Sequence, residues 1–266
     1  MTATLRKART LLSVHFADIL QYRAELLLWA ISGALPLIMA GVWVTAAYQK
    51  PAAFEMTPAH YAQYFLATFI VRQLTLVWVV WEFETHVLRG QLSHLLLAPI
   101  DPVWRYVSEH VAERVARIPV LILLGGMFFL LYPKEVAGWR AGISDIALAA
   151  LAIVATFILR FIVQYAFAML AFWTERAHAI EQLWYLPYLF ISGLIVPLDD
   201  FPPLLREIVM WTPFPYLIYF PAKLLIGGEV NVLRGFIVMI AWTIVFYGIQ
   251  RALWRAGLKQ YSGMGA

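Results

Sequence analysis

The sequence contains no cysteine, and charged residues are scarce in it. Asp, Glu, Lys and Arg together make up 14% of the 266 residues, whereas about 25% is usual for a soluble domain. Without cysteine there is no disulfide framework and no thiolate metal site. Hydrophobic residues reach 62%, and the mean hydropathy is +0.74. Because a soluble protein of this length has too much surface to hide so much apolar material, the composition excludes a soluble domain and predicts a membrane protein.

Motifs of nucleotide-binding and hydrolytic enzymes are also missing. The dipeptide Gly-Lys never occurs, so the chain has no phosphate loop of the Gly-x-x-x-x-Gly-Lys type. It has neither a His-Glu-x-x-His zinc helix nor a Gly-x-Ser-x-Gly elbow. His86 and His94, with Glu82 nearby, give a weak metal signal that interfacial polar residues explain better. We therefore expect no catalysis, and no metal or cofactor bound by this chain.

Six apolar runs account for the composition. They cover residues 26–48, 61–81, 118–132, 143–173, 180–196 and 232–254. The longer runs match the roughly 20 residues that a helix needs to cross a bilayer, and the third begins inside a preceding polar helix. Pro36 predicts a kink in the first span, and Pro187 lies within the fifth. We predict an all-α integral membrane protein with six transmembrane helices, forming one domain over residues 1–266.

The N-terminal segment has a different pattern. Residues 4–20 place apolar side chains on one helical face and basic or hydroxyl side chains on another. This is typical of a helix lying in the headgroup plane, so residues 1–25 are predicted to be interfacial; the alternative is a simple lead into the first span. With the N-terminus inside, twelve Lys and Arg residues are cytoplasmic and six are outside. That bias favours two cytoplasmic termini.

Residues 82–117 form the longest stretch that lipid would not accommodate. We predict a short helix over about residues 85–98, a turn, and a second helix that begins near Pro102, is capped by Asp101 and runs into the membrane. Leucines on this segment would supply an apolar anchor for a protein partner, with polar residues as the rim. The anchor comprises Leu88, Leu92, Leu95 and Leu96, and the rim comprises Glu84, Arg89 and Gln91.

The segment before the last apolar run is rich in proline. Residues 197–221 hold six of the fourteen prolines in the chain. Proline at this density prevents a continuous helix, and the apolar pieces between the prolines are too short to cross a bilayer. We therefore predict that residues 197–228 form a re-entrant pair of short helices on the outer side, shielded by protein.

Arg72 and Arg160 are charged residues within predicted spans. Such residues are costly in lipid and usually face protein or water. They either line a transport path or stabilise helix packing, and the sequence leaves both possibilities open. An aromatic path would suit planar cations, although aromatic residues make up 15% of the chain and also serve packing. The candidate path residues are Phe65, Phe69, Arg72, Arg160, Trp184 and Tyr188.

The order of these elements, and motifs at residues 22–25, 89–92, 96–102 and 192–198, resemble the membrane-spanning subunits of ATP-binding-cassette (ABC) exporters of the type-2 class. Within that class the chain is similar to a subgroup of bacterial permeases, some described as viologen or drug exporters. The resemblance covers essentially the whole chain. It implies an exporter that moves a hydrophobic or cationic drug-like compound, a lipid or a glycan out of the cell by alternating access.

The resemblance also implies partners. A separate ATPase subunit would bind ATP and Mg, and would seat a coupling helix around residues 86–99. The coupling residues would be Glu84, His86, Leu88, Arg89, Gln91, Leu92, Leu95, Leu96 and Pro99. A second permease, identical or different, would complete the complex among the lipids of the bacterial cytoplasmic (inner) membrane. No nucleic acid partner is expected, because cytoplasmic loops explain the net charge of +4. A carrier or channel without an ATPase is the main alternative, and a lipid-modifying enzyme is another.

Overall fold

The computed structural model describes residues 3–21, 28, 31 and 33–264, and this part of the chain is helical without any strand. This confirms the all-α prediction. The helices, labelled in chain order, are α1 (Ala3–Gln21), α2 (Leu35–Gln49), α3 (Pro58–Thr75), α4 (Val79–Leu88), α5 (Leu92–Leu97), α6 (Pro102–Leu131), α7 (Ile143–Ala168), α8 (Ala177–Ile191), α9 (Pro203–Val209), α10 (Tyr219–Leu225) and α11 (Val232–Met264). Short helical turns at Pro51–Ala53, Pro133–Val136, Met169–Phe172, Leu198–Asp200 and Phe214–Leu217 connect them.

In the described residues, four helices are long and apolar enough to cross a membrane. They are Pro58–Leu88, Pro102–Leu131, Ile143–Phe172 and Val232–Tyr261. These correspond to four of the six predicted spans. The other two predicted spans correspond to α2 and α8, which have only 15 residues each. Part of the first, between residues 26 and 32, lies outside the described residues, so the six-span count stays a prediction.

Pro36 lies in the first turn of α2, where its missing N–H costs nothing. Residues 28 and 31, before a turn at residues 33–34, are also helical. The rest of residues 26–32 lies outside the described part of the chain, so the kink expected at Pro36 stays a prediction. One expectation about helix geometry is wrong. The single helix expected over residues 85–98 is divided into α4 and α5 by a turn at Gly90. Gly90 has a φ of 69°, the left-handed conformation in which glycine commonly ends a helix.

Other expectations are confirmed. Asp101 accepts a hydrogen bond from the backbone N–H of Val103 at 3.0 Å, and α6 then runs without interruption from Pro102 to Leu131. The N-terminal segment is helical where described, and α1 packs along α6. Residues 1, 2 and 22–25 of this predicted interfacial segment, including one motif, lie outside the described residues. The proline-rich segment contains the two expected short helices, α9 and α10, and their re-entrant placement on the outer side stays a prediction.

The motif at residues 192–198 joins the proline-rich segment to the first helices. Tyr64 donates its hydroxyl hydrogen to the Gly193 carbonyl at 2.6 Å, and the Trp43 indole donates to the Ile195 carbonyl at 2.9 Å. Gly193 has a φ of 90°, and a Cβ there would lie 2.4 Å from the Tyr64 hydroxyl oxygen. Glycine is therefore required for both the backbone conformation and the close approach.

The buried apolar side chains form two clusters. The first cluster lies around α3, α7 and α10 and includes the fully buried Phe65 and Phe69. The second lies around α4 and the later part of α7. At its centre, the ring of Phe83 lies 5.5–6.2 Å, between centroids, from four other aromatic rings. The two clusters meet where α3 ends and α4 begins.

Candidate functional site

The helix formed by α3 and α4 is interrupted at residues 76–78, between Thr75 and Val79. Side chains of α6 satisfy the backbone groups that this break exposes. The Arg114 guanidinium donates from Nε to the Leu74 carbonyl at 2.6 Å and from Nη2 to the Leu76 carbonyl. His110 Nε2 accepts from the Trp78 N–H at 2.9 Å. A break inside an apolar helix is tolerated when neighbouring groups satisfy its backbone in this way.

The hydrogen bonds of His110 define its tautomer. Because Nε2 accepts from Trp78, the proton of the neutral ring is on Nδ1, which lies 2.8 Å from the Tyr106 carbonyl in the preceding turn of α6. The imidazole therefore bridges α6 to the break through both of its nitrogens. The conformation of the break therefore depends on side chains from α6.

A cavity of about 250 Å³ lies beside the break, between α7 and α8. Its lining combines aromatic rings with charged and amide side chains. These are Arg72, Trp78, Trp81, Arg160, Gln164, His178, Glu181, Gln182, Trp184, Tyr185 and Tyr188. Convergent polar groups in an otherwise apolar cavity are typical of a ligand site.

Two buried arginines dominate the charge of this cavity. Arg72 is 8% exposed and Arg160 is 6% exposed. The Arg160 guanidinium lies 4.6 Å from the centre of the Tyr188 ring, and its Nη1 donates to the Thr75 hydroxyl at 3.4 Å. Arg72 differs, because its buried Nε and Nη1 find no hydrogen-bond acceptor among the described residues. Within the described part of the chain, neither arginine forms an ion pair with a carboxylate.

The carboxylate of the cavity belongs to Glu181, and it is already engaged. Gln164 donates its amide hydrogen to Glu181 Oε1 at 2.7 Å, and His178 Nδ1 lies 3.7 Å from Oε2. Nearby, Glu84 accepts a hydrogen bond at 2.7 Å from the His178 N–H, in the first turn of α8. A carboxylate is favourable at this positive end of the helix dipole. Glu84, predicted for the coupling surface, thus anchors α8.

Of the six candidate path residues, the structure brings four together, and these are Arg72, Arg160, Trp184 and Tyr188. Phe65 and Phe69 do not line the cavity, because both are fully buried in the first cluster. The cavity is also lined by four residues that the sequence did not indicate, Trp78, Trp81, Gln164 and Glu181. Nothing in the sequence marks the break that exposes them, since residues 75–80 contain neither glycine nor proline.

The turn between α4 and α6 presents a second feature, which we call the exposed tip. It comprises Leu88, Arg89, Gln91, Leu96, Leu97 and Pro99, all of which are exposed. Leu97, which the sequence analysis missed, is 85% exposed. The other residues predicted to contact the ATPase are buried or hydrogen-bonded within this chain. Leu92 is fully buried in the second cluster, Leu95 is half-buried beside it, and His86 Nδ1 lies 2.8 Å from the Tyr106 hydroxyl.

A family model described as "ABC-2 family transporter protein" matches residues 56–265, which is most of the chain. The chain belongs to this family. The resemblance drawn from the sequence is thereby confirmed. No curated protein and no solved structure matches the chain.

As an ABC-2 family member, the chain is a multi-pass permease of an ABC transporter, and the family implies an ABC ATPase as partner. The match begins two residues before α3 and includes the break, the cavity and the exposed tip. All the features of the candidate site therefore lie in the part of the chain that defines the family.

Proposed function

We propose that this ABC-2 permease is the membrane subunit of an ATP-driven exporter in the bacterial cytoplasmic membrane, and that the exposed tip contacts the ATPase. Two permeases, identical or different, and two ATPases would form the complex, with ATP and Mg bound by the ATPases. The cargo would be a drug-like compound, a lipid or a glycan.

The observation that carries the proposal is the connection between the exposed tip and the cavity. The tip leads directly into α6, a continuous helix of 30 residues, which is about 45 Å long at ~1.5 Å per residue. Within this helix, His110 and Arg114 hold the break in α3–α4. The break in turn lines the cavity through Trp78. A displacement of the tip by an ATPase would therefore move the side chains that hold the break.

The tip itself has the character of a docking surface. Leu96 and Leu97 are exposed beside the polar Arg89 and Gln91, and an apolar patch with a polar rim is typical of an interface between proteins. The tip is attached to the rest of the fold, because Leu92 is buried in the second cluster and the Ser93 hydroxyl lies 2.8 Å from the Tyr261 hydroxyl of α11. These contacts would help a displacement of the tip by the ATPase to reach the neighbouring helices.

The experiment is a pull-down of the tagged permease, solubilised from its native membrane, with identification of the proteins that co-purify. We expect a soluble protein with a phosphate-loop motif at about one copy per permease. Leu97→Asp, which places a charge on the exposed tip, should abolish this co-purification while the permease is still inserted and monodisperse. Normal recovery of the ATPase with Leu97→Asp would refute the docking surface.

Leu204→Asp is the matched control. Leu204 is 76% exposed in α9, four residues after Asp200, which accepts a hydrogen bond from Tyr61 at the start of α3. It therefore lies at the far end of the α3–α4 run from the tip, and its substitution should leave ATPase recovery unchanged. If the wild-type chain is isolated without any ATPase, the ATP-driven mechanism is overturned in favour of a carrier or channel.

A further inference from the structure

The charge balance of the cavity points to a ligand of one sign. Arg72 and Arg160 bring two guanidinium groups, whereas Glu181 brings one carboxylate, which is directed at Gln164 and His178. Burying a cation without an anionic or carbonyl partner is costly. Arg72 nevertheless keeps two buried N–H groups that have no acceptor among the described residues. The cavity thus carries net positive charge and hydrogen-bond donors that the described part of the chain leaves without an acceptor.

We propose that this cavity binds the anionic headgroup of an amphiphile, a phosphate or carboxylate, through Arg72 and Arg160. The guanidinium group has a planar fork of donors that matches the oxygens of both anions. If the permease exports this amphiphile, the anion is the headgroup of its cargo. That role in transport rests on the proposed exporter function. Binding itself does not depend on an ATPase.

The size of the cavity decides how much of the ligand it holds. At about 250 Å³, it is smaller than the roughly 300–1,000 Å³ of sites that enclose a drug-sized molecule. It therefore suits a headgroup with its first carbons. Trp81 and Tyr185 line it and are also 63% and 38% exposed, so they form its mouth. The exposed ring of Trp81 at this mouth offers apolar surface against which a hydrocarbon chain would lie.

The aromatic rings in the cavity do not favour a cation. One face of the Tyr188 ring is already occupied by Arg160, at 4.6 Å. A cationic ligand would also be repelled by two buried guanidinium groups in a region where charges are poorly screened. The structure therefore favours the opposite sign to that suggested by the aromatic content of the sequence.

The test compares two amphiphiles of equal chain length, octyl phosphate and octyltrimethylammonium, on the full-length permease in phosphatidylcholine nanodiscs. Binding is followed by tryptophan fluorescence, and empty nanodiscs correct for partitioning. We expect the wild-type protein to bind octyl phosphate at least about tenfold more tightly than the cation, the effect of one charged hydrogen bond. Equal affinity for the two amphiphiles would overturn the proposal, and this comparison needs no variant.

Variants locate the site. Arg72→Gln and Arg160→Gln should each weaken octyl phosphate binding by about tenfold or more, whereas Arg140→Gln, at an exposed loop residue, should not. Unchanged binding by a monodisperse Arg72→Gln protein would overturn the assignment. Inorganic phosphate is the third probe, and competition as strong as that of octyl phosphate would overturn the amphiphile in favour of a free anion. Because no ATPase is present, failure here is distinct from failure of the exporter proposal.

Discussion

Arg114 tests whether α6 holds the break in the α3–α4 helix. Its guanidinium donates to the Leu74 and Leu76 carbonyls and lies 4.0 Å from the centre of the Phe157 ring. A hydrogen bond from a charged group contributes about 1.5–3 kcal/mol, and a desolvated cation–π contact adds ~0.5–2 kcal/mol. Arg114→Gln, which is too short to replace either bond, should therefore lower the free energy of unfolding by about 3.5–8 kcal/mol.

The assay is denaturation of the purified protein in detergent, followed by tryptophan fluorescence. Arg105→Gln is the control, because Arg105 lies on the same helix but is exposed, and its loss should change the midpoint little. Hydrogen exchange gives a local readout, in which the amides of residues 76–80 should lose protection in Arg114→Gln before those of α11. Equal midpoints for the two variants, with unchanged exchange at the break, would refute the reasoning.

Three further predictions concern stability and are checked by the same denaturation assay. Gly193→Ala should cost about 1–3 kcal/mol from strain and a clash with a tyrosine hydroxyl; Gly90→Ala, also at positive φ but with nothing within 4 Å of its Cβ, should cost less. Leu92→Ala should cost about 2–5 kcal/mol by leaving a cavity, whereas Leu97→Ala should stay within about 0.5 kcal/mol of wild type. A hydrogen bond from an arginine of α11 lowers the pKa of Glu207 below its ordinary 4.5, so its small contribution exists above that pH and is lost as pH falls through the lowered value. Glu207→Gln should therefore be slightly less stable to denaturation than wild type at pH 7, and this difference in stability should disappear in acid.

Much of the fold was predictable because its causes are local. The long apolar helices follow from transfer of apolar side chains out of water, which depends on composition along one segment. The start of α6 follows from a cap residue and a proline in adjacent positions. The turn at Gly90 was not predicted, although the glycine is present in the sequence, because helix propensity alone does not say where a helix must end.

The candidate site was only partly predictable. Charged residues in apolar runs identified Arg72 and Arg160, because the cost of burying charge is visible in any apolar segment. The sequence did not separate the aromatic candidates, since the same ring packs in a core or lines a cavity. Phe65 proved to be core, while Trp184 lines the cavity. Leu92 and Leu97 look alike in the sequence but point to the core and to the outside.

The sequence by itself determined that this is a helical membrane protein without a phosphate loop of the Gly-x-x-x-x-Gly-Lys type, since composition and motif spacing are properties of the chain alone. Only the tertiary structure decided where the α3–α4 helix breaks and what lies beside it. The residues at the break favour no turn, and it is stable because His110 and Arg114, more than thirty residues away, satisfy its backbone. The excess of positive charge in the cavity has the same origin, because it depends on which side chains three separate helices bring together.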